Sequence, residues 1–468
     1  MASANGWKCL SRPSRRLLVP LFPAPSSSSP TAAFSTSLPR RAGPPKPPEG
    51  GSSRHVRIGK QLSLGSKKNR QPDKFKPPLP GERKAFRKRI QLSNNNALEV
   101  PGLEELTAEN IVDFNSVGKV ARLSDAVIDG LRAVEAFKPT QTWNLFRSPH
   151  TLIRHETVDL VRQLSDAISK QETLRLVITG DRACGKSMLG LQALAAGLMN
   201  QWVVINIPEA QELTTQATEY STIPHSEQYS QPMYIIKLFQ AIDKANHHIL
   251  SGFRVELDHI HLPVTVARGS SLSSLLTVTR EPEFAWPVFQ AFWKELTLPG
   301  RPPILFTLDG LSHIMRVSDY RSPAFELIHS HDLSLVRLYT DAIGGVTRFP
   351  NGAAIVGVCT KGNAMLNPSM DKALEQAAAA QAGLPPPPRD PFFAKYDQRV
   401  FDSLQTVKVL KVRGVTKPEA RSLMEYWAAS GILRLRVDEK TVSEKWTLAG
   451  SGILGEMERV ALYDMRMP

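Results

Sequence analysis

The sequence predicts an α/β fold: a parallel sheet wrapped by helices, followed by a helical C-terminal module and preceded by a basic arm with no core of its own. Three observations carry this. Five short apolar runs alternate with segments of helical periodicity, the pattern of a sheet whose crossovers are helices. The first run ends in a glycine-rich turn that opens a helix. Charge is also divided unevenly: residues 1–90 hold 20 Lys/Arg against Glu49, Asp73 and Glu82, a net +17, whereas the remaining 378 residues hold 38 basic and 41 acidic side chains, a net −3. With 468 residues the chain has room for two or three domains. Cys9, Cys184 and Cys359 are too few and too far apart for a disulfide framework or a C-x-x-C metal knuckle, which favours a reducing compartment. No run of 18 uncharged apolar residues occurs and mean hydropathy is −0.22, so no membrane span is expected.

Residues 1–45 read as a mitochondrial transit peptide. The first 48 residues contain no acid and carry Lys8, Arg12, Arg15, Arg16, Arg40, Arg41 and Lys46 among Ser, Ala and Pro. Residues 15–19 suit a short basic amphipathic turn, and AAFSTS at 32–37 suits a cleavage region. A secretory signal is disfavoured, because Pro20 interrupts the short apolar stretch 17–22. Residues 46–94 form a basic arm: 51–90 hold 13 Lys/Arg against two acids, with Phe75, Phe86 and scattered Leu and Ile as the apolar content. That is too little to offset the ordering entropy, so the arm is expected to be disordered until it meets a polyanion. RNA phosphate fits the charge, and a solvated linker left after import is the alternative.

The globular part begins near Ala97. Residues 117–136 place Val120, Ala121, Leu123, Val127, Leu131 and Val134 at helical spacing, and 155–168 do the same with Val158, Leu160, Val161, Leu164 and Ile168. The first strand, 174–179, runs into Gly180-Asp181-Arg182-Ala183-Cys184-Gly185-Lys186-Ser187, and Met188 follows in an apolar helical stretch. This is G-x-x-x-x-G-K-[ST] with strand before and helix after, a P-loop. Gly180 and Gly185 permit angles that turn successive N–H groups inward on a phosphate. Lys186 would reach the β and γ phosphates, Ser187 would ligate Mg²⁺, and the helix directs its positive end at the same anion. Cys184 reads as a small side chain rather than a nucleophile.

The remaining strands are expected at 202–207, 304–308, 353–358 and 407–412. Asp309, ending the third, would hold the Mg²⁺ water shell; the plainer reading is a turn residue of Asp-Gly. One strand between P-loop and Asp309 and one after it suit an AAA+-like P-loop NTPase sheet of order 5-1-4-3-2, with nucleotide at the carboxyl ends. GTP or ATP, or the diphosphate, is the expected ligand; neither a guanine-reading N-K-x-D nor an adenine signature chooses between them. Position 310 is Gly where ATPases of this branch carry a water-activating Glu, and no replacement base is evident, so hydrolysis should be slow or nil. No catalytic residue is therefore assigned. Thr360 and Asn363 are candidates for a polar group near the γ-phosphate.

His247, His248, His259 and His261 with Asp258 invite a zinc reading, but H-x-H on an expected strand and H-H on a helix lack a second ligand pair, so ordinary cap and surface histidines are favoured. The aromatics of 281–293 read as packing under the Asp309 strand in preference to base stacking. The nucleotide-binding domain spans 95–370, an Ala/Pro-rich exposed loop 371–392, and the fifth strand with a helical lid 393–468. In the lid, Thr416 and Glu419 form a capping box opening a helix with Ala420, Leu423, Met424, Trp427 and Ala428 on one face, ended by Gly431. The segment 448–463 is similar to the final lid helix of AAA+ ATPases, with Gly455 where an arginine normally stands and Arg459 one turn later.

GDRACGKS at 180–187, QWVVINIPEA at 201–210, PPILFTLDG at 302–310 and VTKPEARSLMEYWAASGIL at 415–433, behind a presequence, together resemble the death-associated protein 3 family of mitochondrial ribosomal small-subunit proteins, of fungal type, over about 95–468. The Ala/Pro loop and basic arm fall outside the family pattern. The resemblance implies a nucleotide-binding AAA+-like subunit in the head of the small ribosomal subunit, with guanine nucleotide as the usual ligand, adenine still open, and Asp309-Gly310 shared. Its implied partners are small-subunit rRNA, other mitochondrial small-subunit proteins and the large subunit at intersubunit bridges, in the mitochondrial matrix. The expected role is structural, in mitochondrial translation. The alternatives are an active AAA+ ATPase remodelling nucleic acid or protein, and a P-loop signalling switch in cell death.

Overall fold

The computed structural model describes residues 90–362, 366–393 and 395–463. The expectations for the transit peptide, for the basic arm up to Arg89 and for Asn363 lie outside the described residues.

The centre is a five-stranded parallel sheet. In chain order the short ribbon strands β1 (Val120–Arg122) and β2 (His150–Leu152) come first, then β3 (Thr173–Gly180) and β4 (Val203–Ile207) of the central sheet. Ribbon strands β5 (Ser221–Thr222) and β6 (Tyr229–Ser230) precede central β7 (Ile304–Asp309), and hairpin strands β8 (Val317–Arg321) and β9 (Leu327–His329) precede central β10 (Ala353–Val358) and β11 (Lys408–Val412). The central order is β11-β3-β10-β7-β4. Register aligns Ile178 of β3 with Val358 of β10, and Val358 with Asp309 of β7. The carboxyl ends of β3 and β7 are therefore level, two strand spacings or about 10 Å apart.

Both faces of this sheet are covered, which is why its strands read as unbroken apolar runs. On one face Leu174, Leu176 and Ile178 of β3 join Leu305 and Val356 against helices α1 (Asp125–Ala133), α2 (His155–Ser169) and α3 (Lys186–Met199). On the other, Val177, Ile205, Phe306 and Ile355 meet α4 (Pro232–Leu250), α5 (Ala285–Leu296) and α6 (Ser334–Gly344). The aromatics of 281–293 fall on α5 as core: Trp286, Phe289, Phe292 and Trp293 are buried, and Trp293 meets Phe306 edge-on at 5.8 Å. A third cluster joins α8 (Lys417–Ala429), α9 (Glu439–Leu448) and α10 (Leu454–Glu458) around Trp427, and it includes Phe146 and Leu152 from beside β2.

Three segments differ from expectation. Residues 117–136 are not one helix: 120–122 pair antiparallel with 150–152, and α1 starts only after Ser124, whose side chain accepts from Val127 N–H. Ser124 is a helix start signal, and the apolar residues before it serve a ribbon equally well. The Ala tract read as part of a loop from 371 is helical to Gln381 in α7 (Pro368–Gln381). Alanine is the strongest helix former, Pro368 sits in the first turn and Asn367 caps it by accepting from Met370 N–H, so irregular chain begins at Ala382. His259 lies on a loop rather than a strand, its Nε2 3.1 Å from Glu295 Oε1.

Candidate nucleotide-binding site

The P-loop is shaped by three residues with left-handed or glycine-only angles: Gly180 (φ 153°), Ala183 (φ 61°) and Gly185 (φ 99°). A Cβ on Gly180 would lie 2.4 Å from the Val412 carbonyl oxygen, so glycine is required where the loop leaves β3 beside β11. Lys186 opens α3 and is nearly buried. Its ammonium donates to Gly180 O at 3.1 Å, to Asp181 O and, more weakly, to Cys184 Sγ at 3.8 Å, so all three hydrogens are directed at the loop itself. Cys184 is buried, its Sγ 3.8 Å from Lys186 Nζ, in the filling role its size suggests.

Arg154, at the start of α2, braces the loop from behind. Its Nη1 donates to Cys184 O at 3.0 Å, and its Nη2 donates to Arg413 O at 2.8 Å and to Glu156 at 3.1 Å. One guanidinium thus ties the P-loop to the end of β11. Gln192 on α3 completes the frame, donating to Leu152 O at 2.8 Å and accepting from Thr157 Oγ at 2.8 Å.

In front of the loop lies a cavity of about 1110 Å³. Arg182, Ala183, Gly185, Lys186, Ser187, Met188 and Asp309 line it, while Gly180, Asp181 and Cys184 are not part of its lining. The structure brings Asp309 to the same cavity as Lys186 and Ser187, with its carboxylate ion-paired to Lys138. Gly310 takes φ +92° and donates its N–H to Val358 O at 2.9 Å, opening the short helix Leu311–Ile314. A glutamate there would be strained, and its Cβ would stand 3.3 Å from the His313 ring. Thr360 lines the cavity as well.

The far wall comes from two distant parts of the chain. Residues around β2 supply Thr142, Trp143, Phe146 and His150; the C-terminal module supplies Leu423, Trp427, Leu454, Gly455, Glu458 and Arg459. Gly455 N–H donates to Ala183 O at 2.9 Å, and a Cβ on Gly455 would come within 2.8 Å of the Ala183 Cβ. The C-terminal segment thus rests directly on the P-loop, which an arginine at 455 would prevent. Arg459 is paired with Glu456 at 3.1 Å. Burial pushes the His150 imidazole down to about 4 and the Glu458 carboxyl up to about 7, the latter against a hydrogen bond from Thr142.

Sequence reasoning did not single out Lys138, Arg154, Glu209 or Glu458, all of which belong to this site. The signal for Arg154 was an arginine ending the apolar run Leu152-Ile153 directly before a helix. Glu209, after β4, adds a carboxylate to the cavity wall beside Ala210, whose N–H donates to Asp309 O at 2.8 Å. The other three had no local signal.

A glycine-rich turn between a parallel strand and its helix, an aspartate at the level end of a strand two places away, and helices folded over the carboxyl edge define an α/β protein of the P-loop type. The model of the mitochondrial ribosomal death-associated protein 3 family matches residues 151–460, and the chain belongs to that family. It is 50% identical over 473 residues to the small ribosomal subunit protein mS29 of Neurospora crassa, covering 100% of both chains. The protein of the same name from Schizosaccharomyces pombe is 22% identical over 351 residues, 73% of this chain and 71% of that one. Among solved structures, the Aeropyrum pernix ORC1 protein in complex with DNA matches distantly, at 14% identity and a TM-score of 0.30, over 67% of this chain and 60% of that one.

Proposed function

We propose that this chain is a nucleotide-stabilised structural component of the small subunit of the mitochondrial ribosome, supporting mitochondrial translation in the matrix. The names of its relatives support the ribosomal part. The observation that carries the nucleotide part is the contact of Gly455 on Ala183: a ligand in this cavity touches the P-loop and the C-terminal module at once, so its binding energy adds to their attachment. GTP or ATP, or the diphosphate, would be held by the backbone amides of 180–187, by the Lys186 ammonium exchanging a loop contact for phosphate, and by the amino end of α3. Small-subunit rRNA, through the basic arm, and neighbouring small-subunit proteins are the partners, with the large subunit reached at intersubunit bridges; residues 1–45 direct import.

Mg²⁺ would find the hydroxyl of Ser187 and the carboxylate of Asp309, a hard oxygen set, and would neutralise phosphate charge there. Asp309 is at the same time engaged by Lys138, so the fit at that carboxylate is contested. Hydrolysis is slow on this reading, because Gly310 offers no carboxylate beside Asp309.

The test is made on purified protein. Lys186→Ala removes a charge-assisted contact commonly worth about 1.5–3 kcal/mol and should abolish the thermal shift that nucleotide produces. Turnover should fall in the regime of an unassisted GTPase, roughly 10⁻⁴ per second. Turnover above about one per second, lost in Glu209→Gln or Asp309→Asn, would place the active ATPase reading first. The native protein should sediment with the small ribosomal subunit; free hexamers would contradict the structural role.

A further inference from the structure

Lys138 stands where P-loop proteins bring a divalent cation to the strand-end aspartate. Its ammonium is ion-paired with Asp309 Oδ2, and both side chains are largely withdrawn from solvent, 22% and 13% exposed. The lysine is built into the site. The Lys138 backbone N–H donates to Gln141 Oε1 at 2.8 Å, and the same oxygen accepts from Trp143 Nε1 at 2.8 Å, so a closed turn carries Lys138 to the cavity wall. That wall also holds Ser187 and Lys186, so the ammonium faces the phosphate end.

We propose that Lys138 supplies the positive charge between Asp309 and the polyphosphate of a bound nucleoside di- or triphosphate, in place of a divalent cation. This rests on the nucleotide reading above. Two cations cannot share one carboxylate edge without repelling each other, and the lysine is covalently delivered there at every moment. An ammonium offers three hydrogens, so one can stay on Asp309 while the others reach phosphate oxygens. A lysine in this role also accounts for inertness. It binds the ground state as a point charge, but it cannot bridge β and γ oxygens as a metal does when charge develops in transfer.

The experiment is a titration of nucleotide-stripped full-length protein with GDP, GTP, ADP and ATP, by calorimetry, first in EDTA and then in magnesium chloride. The parent protein should bind with affinities that differ by less than about threefold between the two buffers. Lys138→Met should lose at least about tenfold in EDTA and recover in magnesium, because Asp309 is then free to hold the metal. With Mn²⁺ as probe, electron paramagnetic resonance should detect protein-bound manganese at Asp309 in Lys138→Met and not in the parent, judged by its loss in Lys138→Met/Asp309→Asn. Parent binding that collapses in EDTA would overturn the proposal, and that comparison requires no variant to fold. Loss of nothing in Lys138→Met under EDTA would also overturn it and leave the ion pair a structural bridge. If the parent binds none of the four nucleotides in either buffer, the nucleotide reading fails and this proposal with it.

Discussion

Glu458 and His150 face the same cavity and respond to pH with opposite sign. The Glu458 carboxyl is raised from its ordinary 4.5 to about 7 by burial, so its protonated form favours the fold. Its contribution is complete below about pH 4.5 and is lost as pH rises through 7. Glu458→Gln should melt with the parent at pH 5 and about 2 °C above it at pH 8; calorimetry showing equal melting at pH 8 would remove Glu458 from the buried wall. The His150 imidazole, lowered from 6.5 to about 4, favours the fold while neutral, and that contribution disappears as pH falls from 6.5 through 4. Neither residue was legible in the sequence, because its environment is assembled from segments some 300 residues apart. Lys186 and Ser187 were legible because the P-loop fixes their spacing locally. Lys138 is joined to Asp309 only by the fold, and Arg154 finds the Cys184 and Arg413 carbonyls only once β3 and β11 are neighbours.

Among the elements, the central strands were the easiest to read. Burial on both faces leaves no polar alternation, and the run 353–358 coincides with β10. The ribbon β1–β2 was hard to read, since three residues carry no usable period and their pairing is set by a partner thirty positions away. The Ala tract was misassigned by the prolines after it, whose effect stops at Ala382. Where elements meet, one side chain carries much of the joint. Arg154→Met keeps the apolar stem but leaves Cys184 O and Arg413 O without their donor and Glu156 without its charge partner. Breaking a buried pair in this way should cost about 3 kcal/mol or more in urea unfolding, with nucleotide affinity falling in parallel. A loss under about 0.5 kcal/mol would mean that the P-loop is held by its flanking elements alone.

At the scale of the molecule, the uneven division of charge predicts that attachment and ligand binding can be separated by deletion. The body is near neutrality, and the +11 of residues 51–90 resides in a segment with almost no apolar content. Ile90 and Leu92 already pack against the core, so removing 50–89 trims the arm without entering it. That deletion should weaken attachment to the small subunit and leave nucleotide binding unchanged. With roughly six phosphates neutralised, log affinity for single-stranded RNA should fall against log salt with a slope of about −4, and the deletion should flatten it. Equal slopes for the two proteins would make the arm a protein-binding tail or a remnant of import.

The sheet order sets a timetable. β3, which carries the P-loop and begins at Thr173, lies between β10, which begins at Ala353, and β11, which begins at Lys408, so both of its neighbours come much later in the chain. A chain threaded into a compartment amino end first therefore delivers the P-loop strand early, with two bare edges and nothing to zip onto. Local helices α2 and α3 form at once, but the strand they cover waits for distant segments to close large loops, a slow step that leaves edges open to foreign strands. A message cut short before codon 412 would yield a sticky fragment with no finished pocket, never a smaller working version of the protein.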